Sequence, residues 1–398
     1  AQSGAATATT QAASGGGGNE IVAASAALSA VQAAVNAAAD GDTVLIPNGS
    51  AAWSGGISTS KQIRIRAQNT TATPAGTAGA GTMSRNVTIT NNSGSALFSF
   101  TTGNTHHVGL AGIRFNEGSG SGAHLQVQGN GSKVALVNDL SMTVKDRVWP
   151  AQQPIVWNAK GGVCWNLYAD GTSASNPTGG VGTVNGGFLV KSLGGAGARL
   201  WTTASTMGTA DTNGDVNVYC EDSTFVNVSQ WPDIDDHGRW VSRYCIYDGT
   251  WGLTHGFTSS WGGRHFEIYN NVFKTLHNNR NIAGRYFWCR AGTGVMTNNS
   301  VLNASNPSEW GAPTELDIGD NTNPGSYPMS RQPGGGHSGS AYIVDPIYMW
   351  SETGARAHTY SFQGSWGSIV QLNRDLFVNS GAKSGYTKYA YPHPLRTA

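Results

Sequence analysis

Between Val218 and Val301 the chain says one short phrase four times: Asp222-Ser-Thr-Phe225, Asp248-Gly-Thr-Trp251, Asn270-Asn-Val-Phe273 and Asn298-Asn-Ser-Val301, each behind a run rich in Val, Ile, Tyr or Cys. The first residues of these blocks stand 26, 22 and 28 positions apart. A β-prone run with an Asx mark at that period is the signature of a solenoid, in which each unit buries its apolar face only against its neighbours. Asp and Asn suit the tight turn because they tolerate left-handed backbone or bond their own main chain. Stacked coil upon coil, such residues would form a side-chain ladder. The expected architecture is a parallel β-helix in which Phe225, Trp251 and Phe273 share one position.

Composition agrees with a turn-dense β structure and narrows the partners. Gly is 55 of 398 residues and Pro only 14, which excludes collagen-like and Pro-rich disordered chains. Charged residues are 12% and the formal net charge is +1, so nothing argues for a nucleic-acid partner. No apolar run approaches the ~18 residues of a membrane span. Thirteen Trp residues offer faces for sugar rings as well as packing. Ala1-Gln-Ser-Gly4 reads as a mature end left by signal-peptide cleavage, from which secretion is expected. Cys164, Cys220, Cys245 and Cys289 allow two bridges in an oxidising compartment, or buried stacked thiols. Cys220 and Cys245 lie two and three residues before their block's Asp, so a direct bridge between them needs a bulge.

In chain order, residues 1–23 read as a flexible Ala/Gly/Ser/Thr-rich leader and 24–398 as one β-helix domain. Ser25 can cap a helix with Leu28, Val31, Ala34 and Val35 on its apolar face, ending near Gly41. With the strand Thr43-Val-Leu-Ile46 it makes an N-terminal cap near 24–50, covering the open end of the stack. Residues 169–217 break the period and read as inserted loops. Within them Asp211-Thr-Asn-Gly-Asp215 spaces Asp211, Asn213 and Asp215 like the start of a calcium loop, without a Glu at the twelfth position; the alternative is an Asx-rich turn. No other cofactor is implied. Residues 307–336 read as loop, and a tail near 370–398, with Tyr391-Pro-His-Pro-Leu395, is expected to wrap the last coil.

Several stretches together resemble a known group. They are Asp42-Thr-Val-Leu-Ile-Pro-Asn-Gly49, Gly238-Arg-Trp-Val-Ser-Arg-Tyr244, Thr254-His-Gly256, Gly262-Gly-Arg-His-Phe-Glu-Ile-Tyr-Asn-Asn271, Arg290-Ala-Gly-Thr-Gly294, Asp345-Pro-Ile-Tyr-Met-Trp350 and Tyr391-Pro-His-Pro-Leu-Arg396. The chain resembles secreted right-handed parallel β-helix proteins of environmental bacteria, within the pectate-lyase-like superfamily, most of them without an assigned reaction. The resemblance implies an all-β, single-stranded right-handed parallel β-helix with an N-terminal capping helix and loop insertions. Where relatives carry an Asp-Gln pair, this chain reads Tyr327-Pro-Met-Ser-Arg-Gln332, which removes that loop from the catalytic candidates.

The titratable residues concentrate in Trp231-Pro-Asp-Ile-Asp-Asp-His-Gly-Arg239 and the coils that follow. Arg243, Arg264 and Arg290 are spaced near the coil period and are expected to stack, either as a fork for the carboxylates of an acidic glycan or as a structural row. Elimination on a polyuronate needs a base beside a neutralised carboxylate, for which His255, Arg264 and Arg290 qualify. Hydrolysis needs two carboxyl groups flanking the bond, for which Asp233, Asp235 and Asp236 with Glu267 qualify; the alternative for Asp233 to Asp236 is a solvated turn. Trp231, His237, Arg239, Arg243, Trp261, Glu267 and Arg280 complete the substrate-binding candidates. The expected function is a polysaccharide lyase or hydrolase acting along the solenoid. The competing reading is a non-catalytic adhesive or filament-forming β-helix that associates by its ends or edges.

Overall fold

The structure is a computed structural model that describes residues 18–70, 85–145, 153–171, 187–191, 207–208, 210–228, 230–256, 262–275, 286–302, 327, 332–338, 341–354, 360–362 and 369–397, with short strands at 9–11, 147–148, 183–184 and 314–316. The chain is a parallel β-helix. Each coil lays one strand in each of three long sheets, here A, B and C, and among the described residues these hold 13, 10 and 10 strands. Within these three sheets strands run parallel, except that Thr9–Gln11 pairs antiparallel with Glu20–Val22 at the first edge of sheet A; Arg147–Val148 with Thr183–Val184 and Gly335–Ser338 with Ala341–Val344 form two separate antiparallel pairs. One coil reads Arg239–Arg243 in A, Ile246–Asp248 in B and Gly252–Thr254 in C, and the next restarts at His265–Tyr269 in A.

From Gly112 on, the corner from A to B is the most regular part of the coil. Gly112, Asp139, Asn166, Asp222, Tyr244, Asn270, Asn298 and Ser351 occupy it with φ between 47° and 75°, the left-handed region that Asn, Asp and Gly enter at least cost. Tyr244 holds this column in its coil. Asp248 pairs with Val226 at the end of sheet B, so the inward aromatic column is Phe225, Tyr247 and Phe273, and Trp251 lies outside it. The expected alignment failed because Asp248-Gly-Thr mimics the corner phrase four residues past the real one. Tyr247 stacks 5.0 Å from Phe273 and 5.3 Å from Phe225, an arrangement that adds about 0.5–1.5 kcal/mol per pair beyond burial.

The polar ladder exists, but one residue later than expected and inside the stack. The residue after each left-handed corner points inward: Ile113, Leu140 and Leu167 early, then Ser223, Cys245, Asn271, Asn299 and Glu352. Asn271 Oδ1 accepts the Cys245 N–H at 2.9 Å, and Asn299 Oδ1 accepts the Asn271 N–H at 2.9 Å. Asn299 Nδ2 donates to Glu352 Oε1 at 2.9 Å and to the Ile268 carbonyl at 2.9 Å. The four cysteines are buried free thiols. Cys164 pairs in register with Cys220, and Cys245 Sγ stands 4.0 Å from Cys220 Sγ.

A helix covers the first coils, and the C-terminal tail lies along the side of the stack. The helix Leu28–Ala37 buries Ala30, Val31, Ala34 and Val35 over the first coils; Ser25 Oγ accepts the Ala27 N–H just ahead of it. Lys61 Nζ ends the helix by donating to the Val35, Asn36 and Ala38 carbonyls at 3.0, 2.7 and 2.6 Å, a cation on the negative end of the dipole. None of the described helices is long and apolar enough to cross a membrane. At the other end the tail does more than cover the last coil. After the final rung Leu376–Val378 it runs back as a strap over the outer face of sheet A, from Tyr386 at Glu267 to Arg396 above Trp165. Beneath it Leu136, Val163, Tyr219, Val241 and Tyr269 form a second apolar layer with Tyr389 and Leu395.

Phe188–Lys191 is a regular rung of sheet C, although it lies within the stretch read as inserted loop. Thr314–Leu316 likewise continues sheet C through the stretch 307–336.

Candidate functional site on the outer face of sheet C

The outer face of sheet C carries a row of charged side chains, one per coil. Val190, Ile234, Thr254 and Cys289 pair in register and turn inward. The next residues, Lys191, Asp235, His255 and Arg290, therefore turn outward, since side chains alternate along a strand. The ladder continues far enough to hold them: the Asp235 N–H donates to the Val190 carbonyl at 2.9 Å and the His255 N–H to the Ile234 carbonyl at 2.8 Å. Asp233, two residues before Asp235, faces outward one pleat back.

These groups touch one another along the row. Lys191 Nζ lies 3.1 Å from Asp235 Oδ2 and 3.5 Å from Asp236 Oδ2. Burial alone would pull this amine down, but Asp235, with Asp236 and Asp233 behind it, outweighs that and holds its pKa above the ordinary lysine value. His255 Nε2 sits 2.8 Å from Asp233 Oδ1, the carboxylate fully buried and the imidazole 13% exposed. On its other side Arg290 Nη2 donates to His255 Nδ1 at 2.9 Å. Because a guanidinium only donates, Nδ1 is the accepting nitrogen and the ring proton is on Nε2, toward Asp233.

Arg290 is aimed from below. Its N–H donates to Thr254 Oγ1 at 2.9 Å, its Nε to the Thr254 carbonyl at 3.3 Å, and its guanidinium lies 4.2 Å over the Trp288 ring. Thr254, an inward residue, thus fixes the corner from which Arg290 reaches His255. Arg290, His255 and Asp233 thus stand in line, with the imidazole hydrogen-bonded at Nδ1 and the Asp233 carboxylate beside Nε2.

The other expected site residues sit elsewhere. Arg243, Arg264 and Arg290 do not stack: Arg243 ends a strand of sheet A, while Arg264 and Arg290 lie at the corner from C to A. Arg243 is buried under the strap, where its Nε donates to Glu221 Oε1 at 2.8 Å and its Nη1 to Tyr269 Oη at 2.9 Å and to the Tyr389 carbonyl at 2.8 Å. It faces the tail, not a ligand. Glu267 is likewise covered, accepting from Tyr386 Oη at 2.6 Å and the Gly208 N–H at 3.2 Å, with His265 Nε2 3.3 Å away. Burial lowers the His265 pKa.

Trp231 is fully buried against Phe225 and Phe188, so its ring is core and not a sugar platform. Arg264 Nη2 pairs with Asp345 Oδ2 at 3.0 Å, and burial lowers its pKa despite that partner. Arg239, buried beside it, is lowered to about 9 by desolvation and then by the Arg264 charge. His237 is buried at a left-handed turn position with φ 70°. Trp261 and Arg280 lie outside the described residues.

Asp211-Thr-Asn-Gly-Asp215 is an Asx-rich turn, closed by the Gly214 N–H on the Asp211 carbonyl, and the Asp211 and Asp215 carboxylates face donors. Asp211 accepts from the N–H groups of Asp215 and Asn217 at 3.2 and 3.1 Å and from Tyr219 Oη at 3.0 Å; Asp215 pairs with Lys160 at 3.0 Å and Asn213 is exposed. Among the described residues no three His, Cys, Asp or Glu side chains converge as a metal site.

Sequence reasoning missed Lys191, whose signal was a four-residue β run, Phe188-Leu-Val-Lys191, framed by Gly-rich stretches. It also passed over Trp288 as a base for Arg290. Fold and row together define a β-helix solenoid with a mixed-charge strip on sheet C. No protein-family model matches the chain, and no curated protein matches it.

Proposed function

We propose that this chain is a secreted polysaccharide lyase acting on an acidic glycan laid along sheet C. The observation that carries the reading is His255 held between Asp233 and Arg290. A uronate carboxylate draws the Arg290 guanidinium away from His255, and the fork neutralises the acid group whose neighbouring carbon must lose a proton. That movement uncovers Nδ1. It takes the proton, the electron pair left behind forms the carbon–carbon double bond, and the glycosidic oxygen departs and is protonated by solvent. Asp233 keeps its place on Nε2–H and stabilises the imidazolium that results. Rungs recur every ~4.8 Å along the axis, close to the length of one sugar ring, so an extended glycan meets one outward row residue per unit. The pectate-lyase-like resemblance supports this as analogy of fold only.

Hydrolysis by Asp235 and Asp236 fits less well. Both carboxylates are engaged by one ammonium, Lys191, whereas a hydrolase needs its two acids apart, flanking the bond. A non-catalytic glycan-binding or structural role has one observation in its favour: the charges of the row already neutralise one another.

Incubation of the purified protein with acidic and neutral polysaccharides, following unsaturated products and new reducing ends, separates these readings. Unsaturated products from an acidic glycan support the lyase. Reducing ends without unsaturation point to a hydrolase, and binding without either to the non-catalytic role.

A further inference from the structure

Several contacts fasten the strap, among them Tyr386 on Glu267, Tyr391 on Asp222 and Arg396 on Glu221, and one of its anchors is a histidine. His393, 2% exposed, accepts the Leu395 N–H on Nδ1 at 3.2 Å, so its proton is on Nε2, which meets the Asp211 carbonyl at 3.0 Å. Its own N–H donates to Glu221 Oε2 at 3.2 Å, and its ring lies 4.5 Å from that of Tyr219. Both nitrogens are committed in the neutral form. A second proton would place an N–H against the N–H of Leu395.

The groups around His393 act on that charge in both directions. Arg243 faces it from sheet A, and the Arg396 N–H donates to the His393 carbonyl. The carboxylate of Glu221 is occupied by Arg243 and Arg396, and that of Asp211 by Asp215, Asn217 and Tyr219. Burial is the largest influence on the imidazole and lowers its pKa. The Asp211 carbonyl and the charges of Glu221 and Asp211 pull the other way, Arg243 adds to the lowering, and the balance stays below the ordinary value.

We propose that the strap is an acid-sensitive latch: protonation of His393 undoes its hold on the Asp211 loop and lifts the tail from the outer face of sheet A. For a histidine lowered by folding, the stabilising contribution is complete above the unfolded value of about 6.5 and is lost as pH falls through the lower folded value. The released face is the layer of Leu136, Val163, Tyr219, Val241 and Tyr269. Acid therefore turns a covered surface into an apolar one able to take a new contact.

Hydrogen exchange on the full chain tests this, with rates corrected for the intrinsic effect of pH. Exchange in peptides spanning 386–397 is expected to rise about tenfold or more between a pH of about 7.5 and about 5, while the helix Leu28–Ala37 stays protected. His393→Asn keeps an acceptor for the Leu395 N–H but does not titrate, and its tail is expected to hold equally at both values. His393→Gln provides the same comparison should the Asn variant fail to fold. Unchanged tail protection in the wild type overturns the latch. So does a non-titrating variant that loses protection in acid like the wild type, since the carboxylates of Glu221 or Asp222 would then be responsible.

Discussion

His255 has two neighbours with opposite duties, and substitution separates them. If the imidazole is the base, His255→Ala lowers the lyase rate by about 10²- to 10⁴-fold with little change in glycan affinity. Asp233→Asn leaves the ring in place but removes the charge that supports the imidazolium, so it acts on the rate rather than on binding. Arg290→Lys keeps the charge and loses the fork, so weaker binding of acidic glycan should accompany the slower rate. Rates and affinities on one defined acidic oligosaccharide check all three; equal losses of affinity in every variant would assign the trio to binding alone.

Part of this trio was legible in the sequence, because Asp233, His255 and Arg290 belong to the densest titratable stretch of a weakly charged chain. The Arg spacing misled. Arg243 and Arg264 are separated by nearly one coil, yet the corner from C to A varies in length, so equal spacing does not mean equal position. Lys191 was hidden for the same reason, its rung being framed by Gly-rich stretches that look like one long loop.

Within the coil, the ladder after the left-handed corners is the element most exposed to mutation. Asn299 serves three neighbours, accepting from Asn271 and donating to Glu352 and to the Ile268 carbonyl. Asn299→Ala leaves buried donors and acceptors without partners, at about 1–3 kcal/mol for each orphaned group. A lower denaturant midpoint with an unchanged slope is the expected result; a neutral effect would mean that water enters the stack to replace the amide. The strap offers a second test at this scale. Removal of residues 386–397 bares the apolar layer over sheet A, and binding of a hydrophobic dye at neutral pH should follow. The sequence foretold a ladder and a wrapping tail. It misplaced both, because an Asx mark does not reveal which of two adjacent residues turns inward, and because the tail's grip depends on partners such as Glu221 and Asp211 more than 170 residues away.

For the molecule as a whole, two buried groups set opposite limits on pH. Glu352 closes the ladder, and burial pushes its carboxyl up to about 8 even though Asn299 and then Lys388 pull the other way. A carboxyl raised by folding stabilises most below its unfolded value of about 4.3, and that contribution is lost as pH rises through the folded value. His393 has the reverse sign. Stability measured by urea unfolding should therefore pass through a maximum in mildly acidic to neutral solution. Glu352→Gln should flatten the alkaline side, and a slope there unchanged from wild type would show that Glu352 does not set it.

The corner from A to B has consequences beyond packing. From Asp139 on it spends the same two residues in coil after coil, while the other corners absorb the differences in length. A segment running from one left-handed residue to the next is thus a self-contained cassette with matching ends, and copying or deleting it leaves the rungs on either side in register. Lineages can then lengthen or shorten such a scaffold in whole rungs, as a ladder is cut to height. The four rungs that carry Lys191, Asp235, His255 and Arg290 would have to be inherited together, while those nearer the N-terminal cap are free to vary in number.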